Sequence, residues 1–442
     1  MTLGAPSGFT GRSGRLLEAV RSHWKNPLHR STYILSANQL IGLVSGVVFW
    51  MLATRLYDSS QIGVAAAFLA PNVLLSTVFL LGANHGLLRY AQDIENDPNL
   101  FFSVLWIILI AGVLGGAVGI TICLLTRLVD PIANSPILSI LLYTILVSAG
   151  TVWTICEAAL VSLRAPWHVY VRNLVYALAR IAILIPFTFL GELGVVMAFS
   201  LSLGLVAILS VGLIRQHLHL KWNAWGGIWH PKLPQLVGFA LPNHVVTIIG
   251  TIPAMVLPLI AFHVLGAKIN GYFTLVWTIS SIIRSVLIAA SVSLLAEGSR
   301  DHELLATRLS RSTAFLFIIV AATALPMILF PQWLLLPFGR EYSGINAMIL
   351  SLFALSTLPT VLFTVFVARE RILFRLRYIL ILSAANCIWS TGLPLLGAAY
   401  GGYTGFAIGF LISQSILGFM ALPFLLPKNR AKDAGMAKEG AG

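Results

Sequence analysis

Twelve runs of roughly twenty apolar residues, separated by short polar turns, constrain this chain more than any other feature. A helix needs about 20 such residues to cross the hydrocarbon core of a bilayer. The runs fall at residues 32–56, 61–81, 100–125, 136–163, 171–190, 195–218, 236–265, 271–295, 312–336, 345–367, 378–398 and 402–426. Of 442 residues, 58% are apolar and only 10% charged, whereas soluble domains carry roughly 25% charged residues. The expected fold class is all-α integral membrane, with about twelve transmembrane helices in two parallel-related six-helix bundles around a central cavity.

The basic side chains sort by topology. With the N-terminus inside, Arg89, Arg164, Arg172, Arg215, Lys221, Lys232, Arg300, Arg308, Arg311, Arg369, Arg371, Arg375, Arg377 and both tails fall on one side. The other side has only Arg55, Arg127, Lys268 and Arg340. Positive charge marks the cytoplasmic side, so both termini are expected in the cytoplasm of a bacterial or archaeal inner membrane. The net charge of +13 then reports orientation, and no nucleic-acid partner is expected.

The expected organisation is a basic cytoplasmic tail (1–30), an N-terminal six-helix bundle (31–218), a cytoplasmic linker (219–235), a C-terminal six-helix bundle (236–426) and a second basic tail (427–442). In the first tail Leu16, Leu17, Val20 and Trp24 share a helical face, which fits a helix lying on the leaflet and a disordered tail equally. Trp222, Trp225 and Trp229 enrich the linker, as at the headgroup level.

The halves echo each other. Met51–Leu56 and Ile62-Gly63 align with Leu259–Val264 and Asn270-Gly271 at a constant shift of 208 positions, and Gly86-Leu87-Leu88 meets Ser293-Leu294-Leu295 after one slip. A repeat of six spans is even, so its copies run parallel, a recurrent transporter plan with the substrate path between the halves.

The chain lacks GxxxxGK[ST], HExxH and GxSxG patterns, so no nucleotide-driven motor or hydrolase is expected. Neither a cofactor nor a metal is expected. Cys123, Cys156 and Cys387 read as small apolar residues. Gly112, Gly116 and Gly119, and Gly401, Gly405 and Gly409, have the small-xxx-small spacing that lets helices pack closely.

Charges inside spans are the informative residues, because each costs at least ~2.5–3.5 kcal/mol and must face protein or a watery cavity. Arg284 sits at the middle of its span; Arg180 and Glu157 lie deep in the fifth and fourth. Matched depth allows a Glu157–Arg180 ion pair, against a role in substrate or proton handling. No acid lies inside the second-half spans, so the partner of Arg284 is a group across the cleft, a backbone carbonyl or an anionic ligand; guanidinium matches phosphate geometry. Asn38, Gln39, Asn84, His85, Arg89, Asn243 and His244 are further polar candidates along the path. Pro242, Pro253 and Pro258 are expected to break the seventh helix.

Ala53-Thr54-Arg55-Leu56-Tyr57 with Gln61-Ile62-Gly63, Gly82–Tyr90, Arg284 with Ser293–Glu297, and Gly401–Gly405 resemble the multidrug/oligosaccharidyl-lipid/polysaccharide exporter superfamily. Within it the chain is similar to the polysaccharide-biosynthesis flippases (Wzx-type, O-antigen or teichoic-acid transporter-like) over residues 30–427. The resemblance implies a cationic cavity between two bundles, alternating access and a polyprenyl-pyrophosphate-linked glycan as cargo. Arg284 and Arg180 would grip the anionic group, and membrane lipids, a polysaccharide polymerase and glycosyltransferases would be partners. The alternative is a cation-coupled multidrug or metabolite exporter of the same superfamily, with Glu157 as the coupling acid. A membrane glycosyltransferase, polymerase or ligase fits less well, because the external acids Asp58, Asp130, Glu192 and Glu341 stand singly in short turns.

Overall fold

The computed structural model describes residues 27–125, 136–220, 227–298, 305–373 and 375–425. The N-terminal face formed by Leu16, Leu17, Val20 and Trp24, the linker residues Trp222 and Trp225, and the C-terminal tail lie outside the described residues. Within them the chain is helical, with no strand. The first half holds α1 (Pro27–Leu56), α2 (Ser59–Val78), two short helices α3 (Ala83–Arg89) and α4 (Ala91–Asn96), then α5 (Asn99–Leu125), α6 (Pro136–Ser162), α7 (Pro166–Leu184) and α8 (Glu192–His217). The second holds α9 (Leu233–Ile260), α10 (Ala267–Gly298), α11 (Leu305–Leu329), the short α12 (Pro331–Leu335), α13 (Arg340–Ile372) and α14 (Leu376–Leu425). α14 is two arms joined at Gly402, whose φ of 57° and ψ of −143° are not helical. Counting both arms, each half contributes six long helices.

Helices are what a bilayer permits, because every backbone N–H and C=O must find its partner inside the segment. Ile208, Phe315, Ile318, Ile388 and Phe419 project from them into the surroundings, the outward apolar belt of a multi-pass membrane protein. Inside, Gly112 and Gly116 bring α5 onto α6: a Cβ on either would sit 2.7 Å from the Cα of Ser148 or Thr144. The second bundle is held by stacked and tilted rings, with Phe353 against Phe273, Phe406 and Phe410.

Three spans differ from expectation. The second ends early at Val78, where Leu81 (φ 51°) and Gly82 (φ 74°) turn the chain into α3. The seventh is not broken by its prolines: α9 runs unbroken to Ile260 and closes in a π turn over Ala261–Leu265. Neighbouring helices and local adjustment satisfy the carbonyls that prolines free. The ninth stops at Leu329, and the chain bends 85° into Pro331–Phe338, because Pro331 has no N–H to continue the ladder.

The halves repeat in three dimensions. α2 of the first bundle crosses α10 of the second at their first turns, where Gly63 and Gly271 meet. These are the residues that the 208-position shift pairs. Gly191, opening α8, has φ 57° and ψ −133°, nearly the geometry of Gly402 at the corresponding place before the last arm. Three residues on, Gly194 faces Phe187 O as Gly405 faces Gly397 O. The architecture is therefore two parallel-related bundles that meet along α2, α3, α9 and α10.

Candidate functional site

The cations inside the bundles come first, because each must be compensated. Arg172 is buried completely, although the sequence places it in a cytoplasmic connection. The helix begins at Pro166, at its first turn, so Arg172 sits nearly two turns within it. Its Nη2 donates to Glu157 Oε2 at 3.0 Å and its Nη1 to Trp153 O at 3.0 Å. Its Nε donates to Asn173 Oδ1 at 3.1 Å, and the guanidinium lies 4.0 Å from the centre of the Trp153 ring. Asn173 Nδ2 in turn donates to Asn38 Oδ1 at 2.8 Å. A chain of polar groups thus links α6, α7 and α1.

Of the two roles that matched depth left open for Glu157, the ion pair with Arg180 is not formed. Glu157 belongs to Arg172. Arg180, two turns further along α7, is instead caged by rings, with its Cζ 4.6 Å from the centre of Phe49, 5.0 Å from Tyr176 and 5.2 Å from Phe199. Its Nε has no hydrogen-bond partner. Cation–π attraction supplies what a carboxylate would elsewhere.

Arg284 has the same kind of setting in the second bundle. It is half-buried, its Nη2 donates to Trp277 O at 2.8 Å, and its Cζ lies 3.8 Å from the Trp277 ring centre. Trp277 is edge-on to Phe353 and Phe410, so Arg284 caps the aromatic core of its own bundle. A backbone carbonyl is its partner, and no carboxylate pairs with it among the described residues. Arg180 and Arg284 thus both rest on aromatic rings, with no carboxylate partner among the described residues.

The remaining expected residues gather where α3 meets α9. Asn84, His85 and Arg89 lie on α3, and Arg89 stacks on Phe239 of α9 at 4.4 Å. His244 of α9 is 2% exposed, and its Nε2 lies 3.4 Å from Val78 O. Asn243 is on α9, but its side chain lies outside the described residues. Gln39 is exposed on α1 beside buried Asn38.

Sequence reasoning missed an assembly at the opposite face. Asp58 and Glu341 had read as isolated acids in short turns, yet both line one polar cavity of about 350 Å³ between the bundles. Tyr57, Ser59, Lys268 and Tyr342 complete much of its wall. Lys268 Nζ lies 3.0 Å from Glu341 Oε1, which also accepts from the Tyr272 hydroxyl. The repeat was the signal that could have found it, since Lys268 stands 208 positions from Ser60.

At the arginine-rich face the linker is fastened to the first bundle. His230 Nε2 lies 3.1 Å from Asp97 Oδ2, Lys232 pairs with Asp93, and Ser103 Oγ donates to Gly227 O at 2.7 Å. The His230 hydrogen bond, with help from Asn99, holds the Asp97 carboxyl below its ordinary range. Among the described residues no three His, Cys, Asp or Glu side chains group as a metal site would need.

No family model matches the sequence, and no curated protein matches it. Solved structures do match the fold. An inward-facing multidrug resistance MATE family transporter of the MOP superfamily aligns with TM-score 0.67 at 16% identity, over 91% of this chain and 96% of its own. A MATE protein in complex with MaD3S aligns with TM-score 0.63 at 18% identity, over 94% and 98%. An outward-facing MATE family transporter aligns with TM-score 0.59 at 16% identity, over 93% and 97%. The chain thus has the fold of these transporters along nearly its whole length.

Proposed function

We propose that this chain is an alternating-access exporter of the cytoplasmic membrane, with both termini inside, whose cargo is a small organic anion. The observation that carries the sign of the cargo is the pair Arg180 and Arg284. Each is a guanidinium within a bundle, on aromatic rings, with no carboxylate partner among the described residues. An intramembrane cation held this way is costly unless it serves a ligand or a pathway. The fold supports the transport half of the reading, because structures of this fold are described as multidrug transporters in inward-facing and outward-facing conformations. That description favours small-molecule export over the lipid-linked oligosaccharide first expected. Transport is the activity that this description supports.

The test is uptake into everted membrane vesicles of paired fluorescent probes, one an organic anion and one an organic cation. The expected result is accumulation of the anion, lost in Arg284→Ala while the protein inserts at normal levels. Accumulation of the cation alone would overturn the sign of the cargo, and retained transport in Arg284→Ala would make that residue structural. The flippase reading keeps one supporting observation, since the same arginines suit a pyrophosphate. Build-up of lipid-linked repeat units on the inner leaflet of a deletion strain would favour it, with a polymerase and glycosyltransferases as partners.

A further inference from the structure

The α3–α9 contact leaves polar atoms buried and unused. Gly82 lets the two helices touch: a Cβ there would lie 3.0 Å from Ala240 O and from the Cβ of His244. One turn on, Gly86 lies against Leu236. In this seam His244 Nδ1 and His85 Nε2 are both buried without a hydrogen-bond partner. Such orphans cost about 1–3 kcal/mol each, and two in one seam mark a place where a ligand completes the structure. His85 lies within electrostatic reach of both His244 and Arg371, at the end of α13. The seam therefore draws groups from both bundles.

The hydrogen bonding of His244 decides what fits. Val78 O can only accept, so the His244 Nε2 that faces it carries the hydrogen. In the neutral ring Nδ1 is then a bare lone pair, which repels an anion. A proton taken up at Nδ1 turns it into a donor. The surrounding charges agree. α3 brings His85 and Arg89, α13 brings Arg371 beside the paired Arg369 and Glu370, α6 brings Glu157, which is paired with Arg172, and α2 has no charged or titratable side chain. The charged side chain of α14 is Arg377, and α10 carries Lys268, Arg284 and Glu297, with Lys268 at the far end.

We propose that His85, His244 and Arg371 form a binding site for a phosphate-type oxyanion at the arginine-rich mouth of the seam, and that the anion binds together with a proton on His244 Nδ1. The site deepens the anionic-cargo reading and rests on it: it is where the charged end of the cargo is taken from the cytoplasm. The proton offsets one of the anion's negative charges, which lowers the electrostatic cost of moving it onward.

The experiment uses the full chain in phosphatidylcholine nanodiscs, titrated with inorganic pyrophosphate in two buffers of different ionisation enthalpy. Binding with uptake of about one proton is expected. Arg371→Gln, at an exposed helix end, weakens binding by ~10-fold or more and keeps the proton uptake. His244→Gln loses the uptake. Unchanged affinity in both Arg371→Gln and His85→Gln, or binding without proton uptake, overturns the proposal. Nanodiscs doped with phosphatidic acid separate the sources: displacement of pyrophosphate assigns the site to a lipid headgroup, and unaltered binding assigns it to a free oxyanion. The two readings fail separately. Pyrophosphate binding that persists while Arg284→Ala keeps full transport sinks the proposed function alone, and lost transport in Arg284→Ala with no pyrophosphate binding sinks this site alone.

Discussion

Gly63 and Gly271 lie back to back across the junction of the two bundles, each aimed at the first-turn carbonyl of the other helix. A Cβ on Gly63 would fall 1.7 Å from Ala267 O, and one on Gly271 would fall 2.0 Å from Ser59 O. Since 59 and 63 map onto 267 and 271 by the same shift of 208, the contact is a two-fold arrangement written by two different sequences. Asn270 Nδ2 closes it by donating to Gly63 O at 2.6 Å.

Any larger side chain at this crossing must part α2 from α10. Gly63→Leu and Gly271→Leu are each expected to hold the non-arginine face open. In a Ser60→Cys background, the rate of labelling by a membrane-impermeant maleimide should rise several-fold in both variants. A rise in only one would deny that the contact is symmetric.

The Arg172–Glu157 pair is expected to matter through the arginine. Arg172 has no exposure and Glu157 keeps about a third of its own (36%), so removing the acid strands a buried cation that water reaches only from one side. Glu157→Gln should lower stability by roughly 1–3 kcal/mol, below the full cost of breaking a wholly buried pair. Thermal unfolding in detergent measures it, and Glu157→Met with Arg172→Met together should recover most of the loss.

Gly191 and Gly402 occupy a backbone region that is essentially closed to other residues. Alanine at either should cost about 1–3 kcal/mol and reduce the yield of folded protein. Gly401, whose missing side chain meets nothing within 4 Å, should accept alanine with little change. Equal yields for all three would show that the turn adapts.

Acid should release the linker. Asp97 is held below its ordinary range by His230, so the stability it contributes is fully present above the unfolded carboxyl value of about 3.9 and is lost as pH falls through the lower folded value. Pepsin cleavage near residues 227–232 should therefore stay slow at pH ~4 and quicken below it. Asp97→Asn should cleave quickly throughout.

How much of this was legible depended on what each feature requires. Span number and bundle class follow from the lengths of apolar runs, which the bilayer fixes. Depth was harder to read. Starting the fifth span at Val171, with Pro166 left out, put Arg172 in a loop, although proline in a first turn is itself a helix-start signal. The partner of Glu157 was not legible, because matched depth on α6 and α7 leaves the rotation of each helix free, and rotation chose Arg172 over Arg180. The survival of α9 through Pro253 and Pro258 depends on neighbours that a single helix does not reveal. Lys268 and Glu341 lie far apart in the chain, and only the folded junction brings Asp58 to the same cavity.

The turns at Gly191 and Gly402 have a consequence for descent. Both copies keep a backbone shape that one residue type can adopt, while almost every side chain around them differs. A duplication preserved mainly in its glycines leaves the rest of each copy free to drift. The two copies have drifted far enough that the first keeps its buried arginine–glutamate pair across two helices, Arg172 with Glu157, and the second keeps one within a single helix, Arg369 with Glu370.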